Sequence, residues 1–185
     1  MNYYPIKTLH QLKEYLKVYV PLVKNVAESF SIKLTEDRFR GDHIGLQVLS
    51  KKEFDKCHKL LLPYSEVIHN AIIHKRRNRV YQFKKPLKVD GVVIPRIEIF
   101  EPKPEAVIRK LKAGIEHIAF VVKNYDRFLL ACKKRKVPID KEIEIGSSKF
   151  FKTSLLNLVE IEFRNNQLGF FEQDVRVAVC DFAEY

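Results

Sequence analysis

The chain has 185 residues, enough for one full-sized domain, and its six glycines, eight prolines and 11% aromatics exclude a collagen-like, low-complexity or disordered chain. Lysine and arginine number 34 against 23 acidic residues, a surplus of +11. That surplus is compatible with nucleic acid, an anionic membrane surface or an acidic small molecule, and does not choose among them.

No uninterrupted apolar run approaches the roughly 20 residues that span a bilayer. The opening Met1-Asn2-Tyr3-Tyr4-Pro5 lacks the basic and apolar regions of a secretory signal. Cys57, Cys132 and Cys180 are odd in number and widely spaced, so no disulfide framework is expected and a reducing cytoplasm is the expected setting. Cys57 and Cys132 lie on helix-like segments among Phe and Leu, where free cysteine serves as a small core hydrophobe.

The first forty residues read as helical. Leu9, Leu12, Tyr15, Leu16 and Tyr19 recur at helical spacing, as do Val23, Val26, Ala27 and Phe30 after Pro21. Pro21 removes a backbone donor and either starts a second helix or kinks one long one. From Asp42 the pattern alternates, with Ile44, Leu46 and Val48 on one face and His43, Gly45 and Gln47 on the other. Ser50 and Glu53 form a capping box, and Phe54, Cys57 and Leu61 make an apolar stripe that ends before Pro63. Strand-like runs follow at 71–74, 80–83 and 92–100, the first two joined by a basic turn at 75–78.

The second half repeats this β-α-β-β-β order. Glu116-His117-Ile118 matches Asp42-His43-Ile44 at an offset of 74 residues, and Phe128 and Phe54 each lie 11 residues after their histidine. Phe128, Leu129 and Cys132 lead to Pro138, and strand-like segments follow at 142–145, 150–153 and 159–163. Each unit is too small to bury its own sheet, so the two should pair around a shared cleft in one α+β domain. The expected plan is a helical segment over 6–40, a first module over 41–103, a second over 113–164 and a docked C-terminal segment over 165–185. A Pro-rich stretch at 101–105 and a helix-like 106–111 connect the modules.

His43 and His117 stand at equivalent places on equivalent strands. Glu98 alternates against Ile97 and Ile99, and Glu162 against Ile161 and Phe163, which points both acids towards the histidine side. Glu160 shares the parity of Glu162, and periodicity does not separate them. Two imidazoles and two carboxylates form a mixed nitrogen and oxygen set suited to a divalent first-row metal such as Zn, Ni, Mn or Fe. The competing reading places these acids in solvent on edge strands, beside Lys and Arg.

Paired βαβββ units with His, Glu, His, Glu on their first and last strands resemble the vicinal-oxygen-chelate superfamily, which includes glyoxalase I, extradiol dioxygenases and fosfomycin-resistance proteins. The helical N-terminal segment, Asp42-His43-Ile44, Ile97-Glu98-Ile99 before a Pro-rich turn and Gly114-Ile115-Glu116-His117-Ile118 resemble its YecM-type branch over residues 6–175. The resemblance implies a curved mixed sheet with a metal between the modules, held by His43, Glu98, His117 and Glu162. Glu162 is preferred over Glu160 because Ile161-Glu162-Phe163 is similar to the final strand of glyoxalase-like proteins. A small oxygenated substrate would be chelated through two oxygens, with Glu162 or Glu98 as general base and Gln47 as a substrate contact or a polar lining.

Two other readings remain: a metal-free small-molecule-binding module on the same fold, and a nucleic-acid partner using the basic runs at 74–79 and 133–136. A hairpin tip and a helix C-terminus accommodate such charge without a partner, and no helix-turn-helix, zinc-knuckle or aromatic RNP pattern accompanies it. His10 and His58 are expected to be solvated, and neither His69 nor His74 is expected to be a ligand.

Overall fold

A computed structural model describes residues 6–73, 76–102, 114–156 and 159–168. The N-terminal segment forms one helix, α1 (Leu9–Ser29), begun by the Thr8 hydroxyl accepting the Gln11 N–H at 3.1 Å. It runs unbroken through Pro21, because the buried stripe Leu12, Leu16, Val20, Val23 and Ala27 continues on both sides of the proline and holds the two halves to one core.

The first module comprises β1 (Phe39–Gln47), α2 (Lys51–Leu61), a single turn of 3-10 helix at Leu62–Tyr64, β2 (Ser65–Ile73), β3 (Arg76–Val89) and β4 (Val92–Phe100). The second comprises β5 (Gly114–Val122), α3 (Tyr125–Lys134), β6 (Lys141–Ile145), β7 (Ser148–Leu155) and β8 (Val159–Arg164). The expected capping box starts α2: the Ser50 hydroxyl accepts the Glu53 N–H at 3.2 Å, and the Glu53 carboxylate accepts the Leu49 N–H at 2.9 Å. Strand β2 begins six residues before the alternation at 71 becomes readable. Ile68 is an extra residue in the β2–β3 ladder, and the strand lies at the sheet edge, so its two faces are not sorted by polarity.

All eight strands form one curved mixed sheet in the order β2-β3-β4-β1-β5-β8-β7-β6. β1 and β5 pair antiparallel at its centre, β4 runs parallel to β1, and β8 runs parallel to β5. The order reads the same for both modules outward from the centre, which is the pseudo-twofold implied by the 74-residue repeat. The glutamate-bearing strands β4 and β8 are therefore interior strands; β2 and β6 are the edges.

One face of the sheet is apolar. Ile44, Leu46, Ile118, Phe120, Ile161 and Phe163 pack there with the buried sides of the three helices. Phe128 of α3 meets Phe163 and Phe39 with ring centroids 4.9 Å and 5.2 Å apart. This leaves the opposite face, with His43 and His117, free for polar chemistry. Cys57 and Cys132 are free and buried, and burial raises both thiols to about 11, consistent with inert packing. Among the described residues no helix is long and apolar enough to cross a membrane. The inter-module segment 103–113, His74, Cys180 and the C-terminal segment from 169 onward lie outside the described residues.

Candidate metal centre

Strand register builds the site. In the β1–β5 ladder His43 is opposite Ala119 and Gly45 is opposite His117, so each imidazole folds over the small residue across from it. A methyl group on Gly45 would stand within 2.7 Å of Nε2 of the His117 ring and closer still to its Cε1 and Nδ1. Gly45→Ala is therefore expected to displace His117 and destabilise the protein by about 1–3 kcal/mol. Urea denaturation reads the second effect and the His117 imidazole resonances read the first; wild-type values in both would contradict this packing.

The two rings meet at 88° with their Nε2 atoms 3.1 Å apart. Glu98 reaches them from β4, its Oε2 lying 3.8 Å from His43 Nε2 and 3.6 Å from His117 Nε2. Its other oxygen accepts from the Asn78 amide at 2.7 Å. His43 and His117 are 1% and 2% exposed, and the Glu98 side chain is 16% exposed. Among the described residues His43, Glu98 and His117 form the group whose ligand atoms all lie within 4.8 Å of one another.

The acid before each histidine lies on the same side as its ring, which simple alternation forbids. Both sit at β-bulges. Asp42 is an extra residue of β1 between the pairs at Gly41 and His43, and Glu116 is an extra residue of β5 between the pairs at His117 and Ile115. Asp42 thereby accepts from His43 Nδ1 at 2.8 Å, and Glu116 lies 3.7 Å from His117 Nδ1. A carboxylate only accepts, so His43 carries its proton on Nδ1 and offers the Nε2 lone pair to the site. This carboxylate–imidazole arrangement is the one that orients a histidine for a metal.

Asp42 is itself held by Arg96 at 2.7 Å and by the Leu168 N–H at 2.9 Å. Burial works to raise its pKa, but His43, Arg164 and the Leu168 N–H outweigh it and hold the carboxyl below the usual range. Glu116 is lowered in the same way, burial being outweighed by His117 and Lys152.

Glu162 stands opposite Ala119 just as Glu98 stands opposite Gly45, so register makes it the repeat counterpart of Glu98. Glu160 stands opposite His117 and corresponds to Arg96. The Glu162 carboxylate lies outside the His43–Glu98–His117 group and pairs with Arg164 Nη1 and, at 3.4 Å, with Lys152 Nζ. Burial works to raise its pKa, yet Arg164, His117 and Lys152 bring it down to about 2. Lys152 also bonds Glu160 at 3.1 Å. Burial works against its charge, but Glu162 and Glu160 raise its pKa. Gln47 is buried at the end of β1 beside Phe100 and Gly114. Phe100 stacks on the His117 ring, 6.2 Å between centroids and 8° between planes.

Sequence reasoning left Asp42, Glu116, Asn78, Arg96, Lys152 and Arg164 without roles here. The signal for the first two was present as an acid before histidine in both repeats, but only the bulges place it. The remaining histidines stand elsewhere: His10 is exposed, and His58, expected to be solvated, bonds the buried Tyr81 hydroxyl at 2.8 Å. The basic hairpin is largely committed to the fold, since Arg77 bridges Asp55 and Glu101 and lies over Phe54, and Arg79 bonds Asn70.

The donor set fits a divalent ion. Two Nε2 atoms 3.1 Å apart need either a cation or a proton between them, since their lone pairs would otherwise repel. Nitrogens bound about 2.0–2.1 Å from one ion would stand about 2.8–3.0 Å apart in an octahedral shell and about 3.3–3.4 Å apart in a tetrahedral one, values that bracket the observed separation. Around the rings, five carboxylates (Asp42, Glu98, Glu116, Glu160, Glu162) face three cations (Arg96, Lys152, Arg164), an excess of two negative charges, with Arg76 at the rim over Phe100. An excess of that sign beside the buried imidazoles attracts a cation.

This sheet, with its paired modules around a central His-Glu-His group, has the fold of the vicinal-oxygen-chelate superfamily. The YecM protein family matches residues 8–167, and the chain belongs to that family. Among solved structures, the structural-genomics protein EC4020 is similar over 96% of both chains at 15% identity, with a TM-score of 0.72. A methylmalonyl-CoA epimerase in complex with methylmalonyl-CoA and NH4+ matches 69% of this chain and 94% of its own at 20% identity and a TM-score of 0.52. The methylmalonyl-CoA epimerase from Mycobacterium tuberculosis matches 68% and 86% at 16% identity and a TM-score of 0.51. No curated protein matches the sequence.

Proposed function

We propose that this protein is a divalent-metal-dependent enzyme that acts on a small oxygenated substrate through two of its oxygens. One observation carries the reading: two imidazoles, each with a carboxylate behind its Nδ1, bring their Nε2 atoms to 3.1 Å from each other beside Glu98. His43, Glu98 and His117 would hold the ion, and three ligands leave positions open for substrate. Bound there, Zn, Ni, Mn or Fe would polarise the substrate oxygens as a Lewis acid and stabilise an oxyanion.

The chain's own residues supply the rest. Asp42 fixes the tautomer and direction of the His43 imidazole, and Glu116 places a negative charge behind His117 Nδ1. Phe100 covers one face of His117 and excludes water there. Glu98, anchored through one oxygen by Asn78, is the carboxylate assigned to proton transfer. Glu162 is a weaker base than the sequence pattern suggests, because a carboxyl held near pKa 2 takes up little proton at neutral pH. Its role in this reading is to neutralise Arg164 and Lys152, and it becomes a fourth ligand only if those pairs open. Gln47 is assigned to the substrate side. A cytoplasmic setting belongs to the same reading, since the free thiols of Cys57 and Cys132 are kept inside the core.

The test uses protein loaded with Co²⁺, whose visible spectrum reports its ligands. Oxalate, which offers two oxygens in chelating positions, is expected to change the spectrum saturably, whereas acetate at the same concentration leaves it nearly unchanged. A Co²⁺ spectrum indifferent to oxalate would remove the chelation step. Failure to bind Co²⁺ at all would favour a metal-free binding module.

A further inference from the structure

We propose that a second site, on the helical side of the sheet, binds an amphipathic organic phosphate: an apolar body carrying a phosphate group. A groove of about 510 Å³ lies between the first half of α1, the Leu62–Tyr64 turn and β3. That volume falls within the roughly 300–1,000 Å³ of small-molecule sites. Its floor is made by the buried Phe83, Leu87 and Val89, with Leu9 and Tyr64 at its sides. Five lysines surround it (Lys13, Lys17, Lys84, Lys85 and Lys88), and among the described residues no acidic one lines it. Lys17 pairs with Glu14 and Lys84 donates to the Pro63 carbonyl, while Lys13, Lys85 and Lys88 have no partner among the described residues.

The backbone is shaped for this groove. The β3–β4 register passes from Gln82↔Arg96 to Leu87↔Ile94, so residues 83–86 of β3 face the single residue Pro95. An interruption of that size costs ladder hydrogen bonds, and across it Lys84, Lys85 and Pro86 are exposed while Phe83 stays buried. Uncompensated ammonium groups around an apolar floor call for a ligand that is anionic at one end and apolar at the other. Lysine is a point-charge partner for phosphate, and a dianion satisfies more of the ring than one carboxylate does. A nucleic-acid backbone would use the lysines but leave the apolar floor uncovered.

Isothermal titration with octyl phosphate below its micelle concentration tests the assignment. One saturable site per chain is expected, with affinity reduced roughly tenfold or more in the Lys84→Glu/Lys85→Glu/Lys88→Glu variant. The His43→Ala protein should bind as wild type does, which separates this site from the metal centre. Inorganic phosphate and octyl glucoside should each bind at least tenfold more weakly than octyl phosphate. Undiminished binding in the triple variant, or equal binding of either half-ligand, would overturn the proposal. So would duplex DNA binding that the triple variant loses while octyl phosphate gives no heat.

Discussion

Arg164→Met is expected to destabilise the protein by about 3–5 kcal/mol at neutral pH, because it strips the principal cation from a buried carboxylate. Arg164 is 3% exposed, pairs with Glu162, donates to the Asn166 carbonyl at 3.2 Å and lies 4.0 Å from Asp42. Methionine fills much of the space without the charge. The pH dependence identifies the cause. The Glu162 carboxyl titrates near 2 in the folded chain against 4.5 for a free side chain, so the unfolded chain binds the proton more readily. The stabilisation is complete above about pH 4.5 and disappears as the pH falls towards 2, an amount on the order of 3 kcal/mol. Without Arg164 the folded-state pKa rises, so the stability gap between variant and wild type should narrow through that window. Urea denaturation across the acid range measures it. A gap that stays constant with pH would show that Arg164 acts through packing on Phe150, 4.8 Å from its guanidinium, and not through Glu162.

The second large effect belongs to the metal. An ion that binds only the folded chain raises its stability by about 4 kcal/mol at a thousandfold excess over Kd, which for a chain of this size is a rise in Tm of roughly 8–16 °C. His117→Ala is expected to abolish that rise, because it removes one of two nitrogen ligands. Glu162→Gln is expected to keep most of it, since the carboxylate is engaged by Arg164 and Lys152 and lies outside the ligand group. The quantity compared is the increment on adding metal to each variant, so a variant of lower starting stability remains informative. Equal loss in Glu162→Gln and His117→Ala would mean that Glu162 leaves its cations and ligates.

Much of this site was legible in the order of residues. The 74-residue offset, the His-Ile strands and the Glu98 strand announced two modules around a common axis. They did so because alternation sorts side chains to faces and a repeat carries the sorting over. What alternation could not show is where the alternation breaks. Asp42 and Glu116 sit at bulges, and a bulge is a property of two strands in register, invisible along one of them. The choice between Glu160 and Glu162 was closed to periodicity for a similar reason, since both face the same way. Their partners across the ladder, His117 and Ala119, distinguish them. The asymmetry of the site was hidden more deeply. Glu98 and Glu162 are equivalent by repeat, but Phe100 follows one and Arg164 the other, and that difference turns one acid towards the imidazoles and pairs its twin with cations.

The charge of the chain also divides differently from its composition. Around the imidazoles the balance is negative, although the whole chain is strongly positive. Arg77 and Arg79 are spent on the fold, while Lys13, Lys85 and Lys88, unpaired among the described residues, lie around an apolar groove on the far side of the sheet. The two faces would therefore attract opposite partners, a cation on one and an amphipathic anion on the other.

The central claim is that His43, Glu98 and His117 bind one divalent ion. Equilibrium dialysis of the purified chain against Zn²⁺, Ni²⁺ and Mn²⁺, followed by elemental analysis, tests it most directly. Near-stoichiometric retention of at least one of these ions is predicted, with retention lost in His43→Ala and in His117→Ala. No retained ion in the wild type, or the same retention in both histidine variants, would contradict it.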